Sequence, residues 1–169
     1  AGEGPRLAII NADDPYASIM MQATSADVLT YSLQDPKASA YADQLAVQDG
    51  NQTFRLHYRN QTYQVVSPML GAYNVANFMA AFLCLVDYYQ VQPQTVVDLM
   101  LSFGGVEGRM QRLDLGQEFQ VVVDFAHTPD AIERVLQELK AQSPKRLVTI
   151  IGHSGGNRDS GARPEIGDK

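Results

Sequence analysis

A chain of 169 residues has room for one medium domain or for pieces of two, and a hydrophobic share of 45% is enough to build a core. The net charge of −6, with no lysine or arginine cluster, argues against nucleic acid as a partner and leaves any anionic substrate to a few placed donors. One cysteine excludes an internal disulfide; with no apolar run of the ~18–20 residues a membrane span needs and no signal-peptide layout, no membrane partner and a cytoplasmic location are expected.

Arg6 to Asn11 reads as a short buried strand running into the turn-rich Asn-Ala-Asp-Asp-Pro cluster. Residues 15–22 suggest a short helix, and Asp27 to Tyr31 a second strand. From Tyr41 to Ser67 the pattern has period two. Phe54, Leu56 and Tyr58 alternate with Arg55, His57 and Arg59, and Asn60-Gln61 turns the chain back, as in a hairpin or meander with one wet face. Tyr73 to Tyr89 changes to helical spacing, with Val75, Phe78, Met79, Phe82 and Val86 on one side. A second helix is predicted from Pro93 to Phe103, ended by Gly104-Gly105, the best candidate for a domain boundary. Strands at Gln111 to Leu115 and Gln120 to Phe125, a helix at Pro129 to Gln142 and a strand at Arg146 to Ile151 follow. The stretch from Gln120 to Ile151 has the size and order of a βαβ crossover, so an α/β fold with parallel pairing is expected.

Four segments carry candidate chemistry. In residues 121–136, three valines predict a strand buried on both faces with Asp124 at its carboxyl end, where open α/β sheets bind ligands. Thr128, Pro129 and Asp130 suit the cap and first turn of the following helix. Asp124 and His127 suit either a ribose hydroxyl pair or base chemistry, or a structural role at the turn; spacing does not choose. In residues 105–116, Arg109 follows a glycine at the expected hinge, where a guanidinium can fork onto phosphate oxygens or stay solvated. In residues 71–81, Asn74 and Asn77 share a helix face, and an amide offers the donor and acceptor that an adenine edge needs; at least one of them is expected to cap the helix or tie a loop.

In residues 150–167 a strand runs into a polar glycine loop with Arg158 and Arg163, able to pair with a carboxylate. That loop is neither a P-loop nor a dinucleotide fingerprint. Asn11 to Asp14 reads as turn chemistry before Pro15. The three histidines are too scattered to suggest a metal site, and Ser154 lacks a nucleophile-elbow context.

In this order, NADD, GAYNVANFMAA, GVEGRMQRLD, DFAHTPDA and GGNRDSGARP resemble the Mur ligases, and within them the UDP-N-acetylmuramoyl-tripeptide synthetases. The resemblance implies an ATP- and Mg2+-dependent amide ligase of peptidoglycan precursor synthesis. It would form an acyl-phosphate on UDP-N-acetylmuramoyl-L-Ala-D-Glu, which the amino group of a diamino acid, lysine or diaminopimelate, then attacks. It also implies ATP binding by Asn74, Asn77, Arg109, Asp124 and His127, and amino-acid substrate binding by Arg158 and Arg163. Residues 1–105 would be the C-terminal part of the central ATP-binding domain. Residues 106–169 would be the first βαβ portion of a Rossmann-like C-terminal domain. Ala162, where the family usually has a basic residue, and His153-Ser154, which lengthens the loop, depart from the pattern.

The abrupt opening AGEGPRLAIINADD and closing PEIGDK lead us to expect an excised fragment. The family's phosphate-binding loop, magnesium ligands and uridine-nucleotide domain would precede it, and the remainder of the parent chain would be its partner. A chain without that loop is expected to be inactive alone, with an open strand edge and a tendency to self-associate. The alternatives are another Mur-like ligase of the folylpolyglutamate or cyanophycin type and a non-catalytic nucleotide-binding module; an intact Gly-Lys-Thr loop upstream would favour an enzyme.

Overall fold

The computed structural model describes residues 6–142, 144–152, 164 and 167. The chain divides into two compact units, Ala1–Gly104 and Gly105–Lys169.

The first unit is built on one five-stranded sheet of order β1-β2-β3-β4-β5. Strands β1 (Leu7–Asn11), β2 (Asp27–Ser32) and β3 (Ala40–Gln48) run parallel, while β4 (Asn51–Tyr58) and β5 (Gln61–Ser67) continue as an antiparallel meander. Helix α1 (Ala17–Ala23) connects the first two strands. The predicted alternation sets the inner face: Phe54, Leu56, Tyr58, Tyr63 and Val65 are buried, and Arg55, Arg59 and Gln64 are not. Both hairpins use two-residue turns with positive φ at each position, Asp49-Gly50 and Arg59-Asn60. That conformation matches the right-handed strand twist. The second turn lies one residue earlier than the expected Asn60-Gln61. Gln61 already pairs with Tyr58, and the Arg59 side chain bonds Asp87.

Helix α2 (Ala72–Leu83) lays Val75, Phe78, Met79 and Phe82 on this face, over the small residues Ala40 and Ala42 of β3. Edge-to-face pairs fix the packing, Phe54 with Phe78 at 5.6 Å and Tyr58 with Phe82 at 5.2 Å between centroids. The helix does not run regularly to Tyr89 as predicted. It widens into a π-helical turn, Cys84–Tyr88, with Tyr89 N–H bonded to the Cys84 carbonyl at 3.2 Å. This keeps Val86 in the core and sets Asp87 against Tyr58 and Arg59. Helix α3 (Pro93–Met100) ends three residues early, because Ser102 and Phe103 bond back to Leu99 and Met100 in tighter turns.

The second unit contains an antiparallel ribbon, β6 (Gln111–Leu113) with β7 (Val121–Val123), and helix α4 (Pro129–Ala141). Thr128 caps α4 by accepting from Ala131 N–H at 3.3 Å, Pro129 fills the first turn, and Asp130 and Lys140 complement the helix dipole at its two ends. Two expectations are corrected here. Strand β7 is half-buried, with Val123 exposed, because among the described residues its one ladder partner is β6. Residues 146–151 pair with no strand among the described residues, and Val148 and Ile150 are 63% and 94% exposed, so the expected parallel β-α-β pairing is absent there. A strand is held by its neighbour's hydrogen bonds, and among the described residues β7 is paired on one edge only, by β6, with no ladder to residues 146–151.

Candidate functional site

In the second unit, two sequence-selected residues, Arg109 and His127, pack on the ring of Phe125, which follows a third, Asp124, in the chain. Gly105 and Gly108 have φ of 79° and 71°, a region costly for side-chain-bearing residues, and Met110 enters the same region at 46°. These reversals direct the chain so that Met110 N–H donates to Asp124 Oδ2 at 2.8 Å. Asp124 lies just past the end of β7, and its Oδ1 accepts Ala126 N–H at 2.7 Å. Each carboxylate oxygen therefore holds one backbone donor and retains acceptor capacity. The group is half-buried and fixed from both sides.

Beside it, the Arg109 guanidinium carbon lies 4.9 Å from the centre of the Phe125 ring. His127 packs its ring edge-to-face on the same phenylalanine at 5.1 Å, and His127 Nδ1 is 3.1 Å from the Phe125 carbonyl. A carbonyl oxygen only accepts, so this bond requires hydrogen on Nδ1. Arg109 and His127 are both exposed. Phe125 was not singled out by sequence; the signal available was an aromatic residue between two motif residues, at the turn where strand alternation ends.

The first unit holds Asn74 and Asn77, one turn apart on α2 but in different surroundings. Asn74 is buried, and its Nδ2 donates to the Leu70 carbonyl at 2.7 Å. Asn77 is exposed and its amide has no hydrogen-bond partner among the described residues. The choice left open by spacing is thereby made: Asn74 is the loop tie. Beneath this helix start lies Gln52, also buried, whose Oε1 accepts Gly71 N–H at 3.2 Å while its Nε2 donates to the Ala46 carbonyl at 2.9 Å. Sequence reading passed over Gln52, although its place two residues before Phe54 assigns it to the inner face.

The Asn11 to Asp14 cluster makes turn-stabilising bonds. Asn11 Oδ1 accepts Asp13 N–H at 3.0 Å, Asp14 Oδ1 accepts Tyr16 N–H at 2.8 Å, and Asp13 bonds the Ser32 hydroxyl and Leu33 N–H. On the wet face of the sheet, Arg55 forks onto Asp43 at 2.9 and 3.0 Å, and His57 Nε2 lies 3.2 Å from the same carboxylate. Hydrogen bonding from Arg55, helped by His57, holds the Asp43 carboxyl below its ordinary value. Arg158 and Arg163 lie outside the described residues. Among the described residues, no group of three histidine, cysteine or acidic side chains is placed to hold a metal ion, and no helix is long and apolar enough to cross a membrane.

Comparison with known proteins identifies the family of the chain. The Mur ligase middle domain family model matches residues 2–85, and the Mur ligase glutamate ligase domain matches residues 108–168. A UDP-N-acetylmuramoyl-L-alanyl-D-glutamate–2,6-diaminopimelate ligase from Bacillus licheniformis is 35% identical over 164 residues, which is 97% of this chain and 33% of that protein. The chain thus spans about a third of the length of the curated relatives it matches. A solved structure of a ligase with the same description aligns over 96% of this chain and 34% of its own, at a TM-score of 0.67 and 35% identity. An FPGS–AMPPCP–folate complex aligns over 95% of this chain and 40% of its own, at a TM-score of 0.73 and 17% identity, a likeness of fold alone. Two Mur ligase domains matched in order, and relatives this similar along nearly the whole sequence, establish that the chain belongs to the Mur ligase family.

Proposed function

We propose that the chain supplies nucleotide contacts to an ATP-dependent ligase that joins diaminopimelate to UDP-N-acetylmuramoyl-L-alanyl-D-glutamate for cytoplasmic synthesis of peptidoglycan precursor. The relatives named for that reaction support the substrate pair, and the preference for diaminopimelate over lysine comes from their names. In this reading residues 1–105 end the central ATP-binding domain and residues 106–169 begin the C-terminal domain.

The observation that carries the proposal is the Asp124 carboxylate, fixed by Met110 and Ala126 N–H groups with acceptor capacity left on both oxygens. A ribose diol presents two hydroxyl donors, which such a carboxylate accepts as a pair. Arg109 offers N–H groups with no hydrogen-bond partner among the described residues, in a planar fork that suits phosphate oxygens. Asn77, exposed and uncommitted, suits an adenine edge; Asn74 serves by fixing the start of α2. Arg158 and Arg163 are assigned to the carboxylates of the incoming amino acid. ATP, bound with Mg2+, supplies the phosphoryl group that activates the glutamate carboxylate. The residues named here hold the nucleotide and leave activation of its terminal phosphate to groups elsewhere.

Titration of the 169-residue chain with a non-hydrolysable ATP analogue tests this reading. Binding in the millimolar range is expected, without ADP release when ATP itself is supplied. Asp124→Ala should abolish the binding, Arg109→Ala should weaken it measurably, and Asn77→Ala should narrow the preference for the adenine over the guanine analogue. Equal affinity in all four proteins would refute the site, and steady ADP release would refute the division of labour.

A further inference from the structure

We infer that Phe125 is a positioning residue for Arg109, with His127 packed against the same ring as its buttress. The inference deepens the proposed function and rests on its reading of Arg109 as a nucleotide ligand.

Phe125 is 61% exposed, so it contributes little to any core, yet two side chains pack on its ring. The Arg109 guanidinium lies over the ring at 4.9 Å and the His127 ring meets it edge-to-face at 5.1 Å. His127 is in turn fixed by its Nδ1 contact to the Phe125 carbonyl, which closes a small loop of contacts over three residues.

An arginine side chain carries large rotamer entropy, and one placed in solvent beside a positive-φ glycine would sample many orientations. The aromatic face restricts it electrostatically while leaving the in-plane N–H groups directed outward, as a phosphate ligand requires. Backbone register reinforces the placement, because the N–H following Arg109 is bonded to Asp124. The same carboxylate that suits the ribose therefore anchors the chain carrying the phosphate ligand. In His127 the Nδ1 contact and the ring packing both serve Phe125, which gives the histidine of this motif a mechanical role.

The first test needs no ligand. In the nitrogen-15-labelled chain the Arg109 Nε–H resonance should show a ring-current shift that is retained in Phe125→Tyr and lost in Phe125→Leu. An Arg109 resonance identical in all three proteins overturns the inference. The second test is the affinity for a non-hydrolysable ATP analogue and for adenosine. Phe125→Leu should weaken the analogue by about two- to fivefold, the worth of an exposed cation–π contact, and leave adenosine unchanged. With Arg109 already replaced by alanine, Phe125→Leu should cost nothing further. Equal loss for adenosine and analogue, or full additivity with Arg109→Ala, would mean a merely structural ring and overturn the inference. A wild-type chain that shows the ring-current shift but binds neither ligand would refute the nucleotide reading, and the role of the stack with it.

Discussion

Asn74 and Asn77 occupy equivalent-looking places in the sequence, and replacing each by alanine should have opposite consequences. Asn74 is 6% exposed and its amide donates to the Leu70 carbonyl at 2.7 Å, in a loop whose Leu70 side chain is itself buried. Truncation removes that donor and strands a buried acceptor, which costs about 1–3 kcal/mol. Asn77→Ala removes an exposed side chain, and the change stays within about 0.5 kcal/mol. Both substitutions gain the same intrinsic helix propensity, so the difference between them isolates the hydrogen bond.

The chain offers a convenient probe for the measurement. It has no tryptophan, and all eight tyrosines lie within the first unit, so tyrosine fluorescence reports the unfolding of that unit. In a domain of about 100 residues each kcal/mol moves the melting midpoint by about 4–8 °C, so Asn74→Ala should melt at least ~2 °C below Asn77→Ala. If the two variants melt together, and Asn74→Ala loses only nucleotide affinity, the assignment of Asn74 as a loop tie is wrong.

Two pH responses follow from the sheet's polar groups. Hydrogen bonding from Arg55 depresses the Asp43 carboxyl, so its contribution is present above the unfolded-chain value of about 3.9 and is lost as pH falls through the folded value. Asp43→Asn should therefore flatten the acid limb of tyrosine-detected unfolding below about pH 4; an unaltered limb would remove Asp43 from the account. Burial first, and the Asp87 hydrogen bond second, push the Tyr58 phenol up to about 12. A raised folded-state value means stability intact below the ordinary phenol value of about 10 and lost as pH rises through the folded one. Phenolate absorbance should show Tyr58 ionising late, and earlier in Asp87→Asn; coincident ionisation of every tyrosine would contradict this.

Strand alternation and helical spacing made the first unit legible. The inner faces of β4 and α2 are the residues the periodicity selects, because one sheet face and one helix stripe bury each other with little interference. Departures occur where a polar side chain outbids local pattern. Asp87, held by Tyr58 and Arg59, accompanies the widening of the helix end, and Gln52 is an amide that the pattern sends inward without announcing its partners. In the second unit the valine run of β7 suggested burial on both faces, but burial depends on neighbours that a strand's own sequence does not name. For the site, the residue types and their order were readable. Unreadable were the assignments that depend on a third residue, such as Phe125 beneath Arg109 or Leu70 beneath Asn74.

That distinction bears on how ligand contacts are recognised in this chain at all. Arg55, Arg59 and Arg109 stand near acidic or aromatic partners, and the partner decides their capacity. Arg55 is forked onto Asp43 and Arg59 is paired with Asp87, so a carboxylate already neutralises the charge that a nucleotide phosphate would seek on either one. Arg109 is held by an aromatic face, which competes for no N–H group. A cation restrained without being neutralised is the arrangement that an anion binds at least cost. By the same measure Asn74, whose amide is committed to Leu70, is a poor reader of a base, and Asn77 a better one. Arg109, not the arginines of the sheet, should therefore set the salt dependence of nucleotide binding.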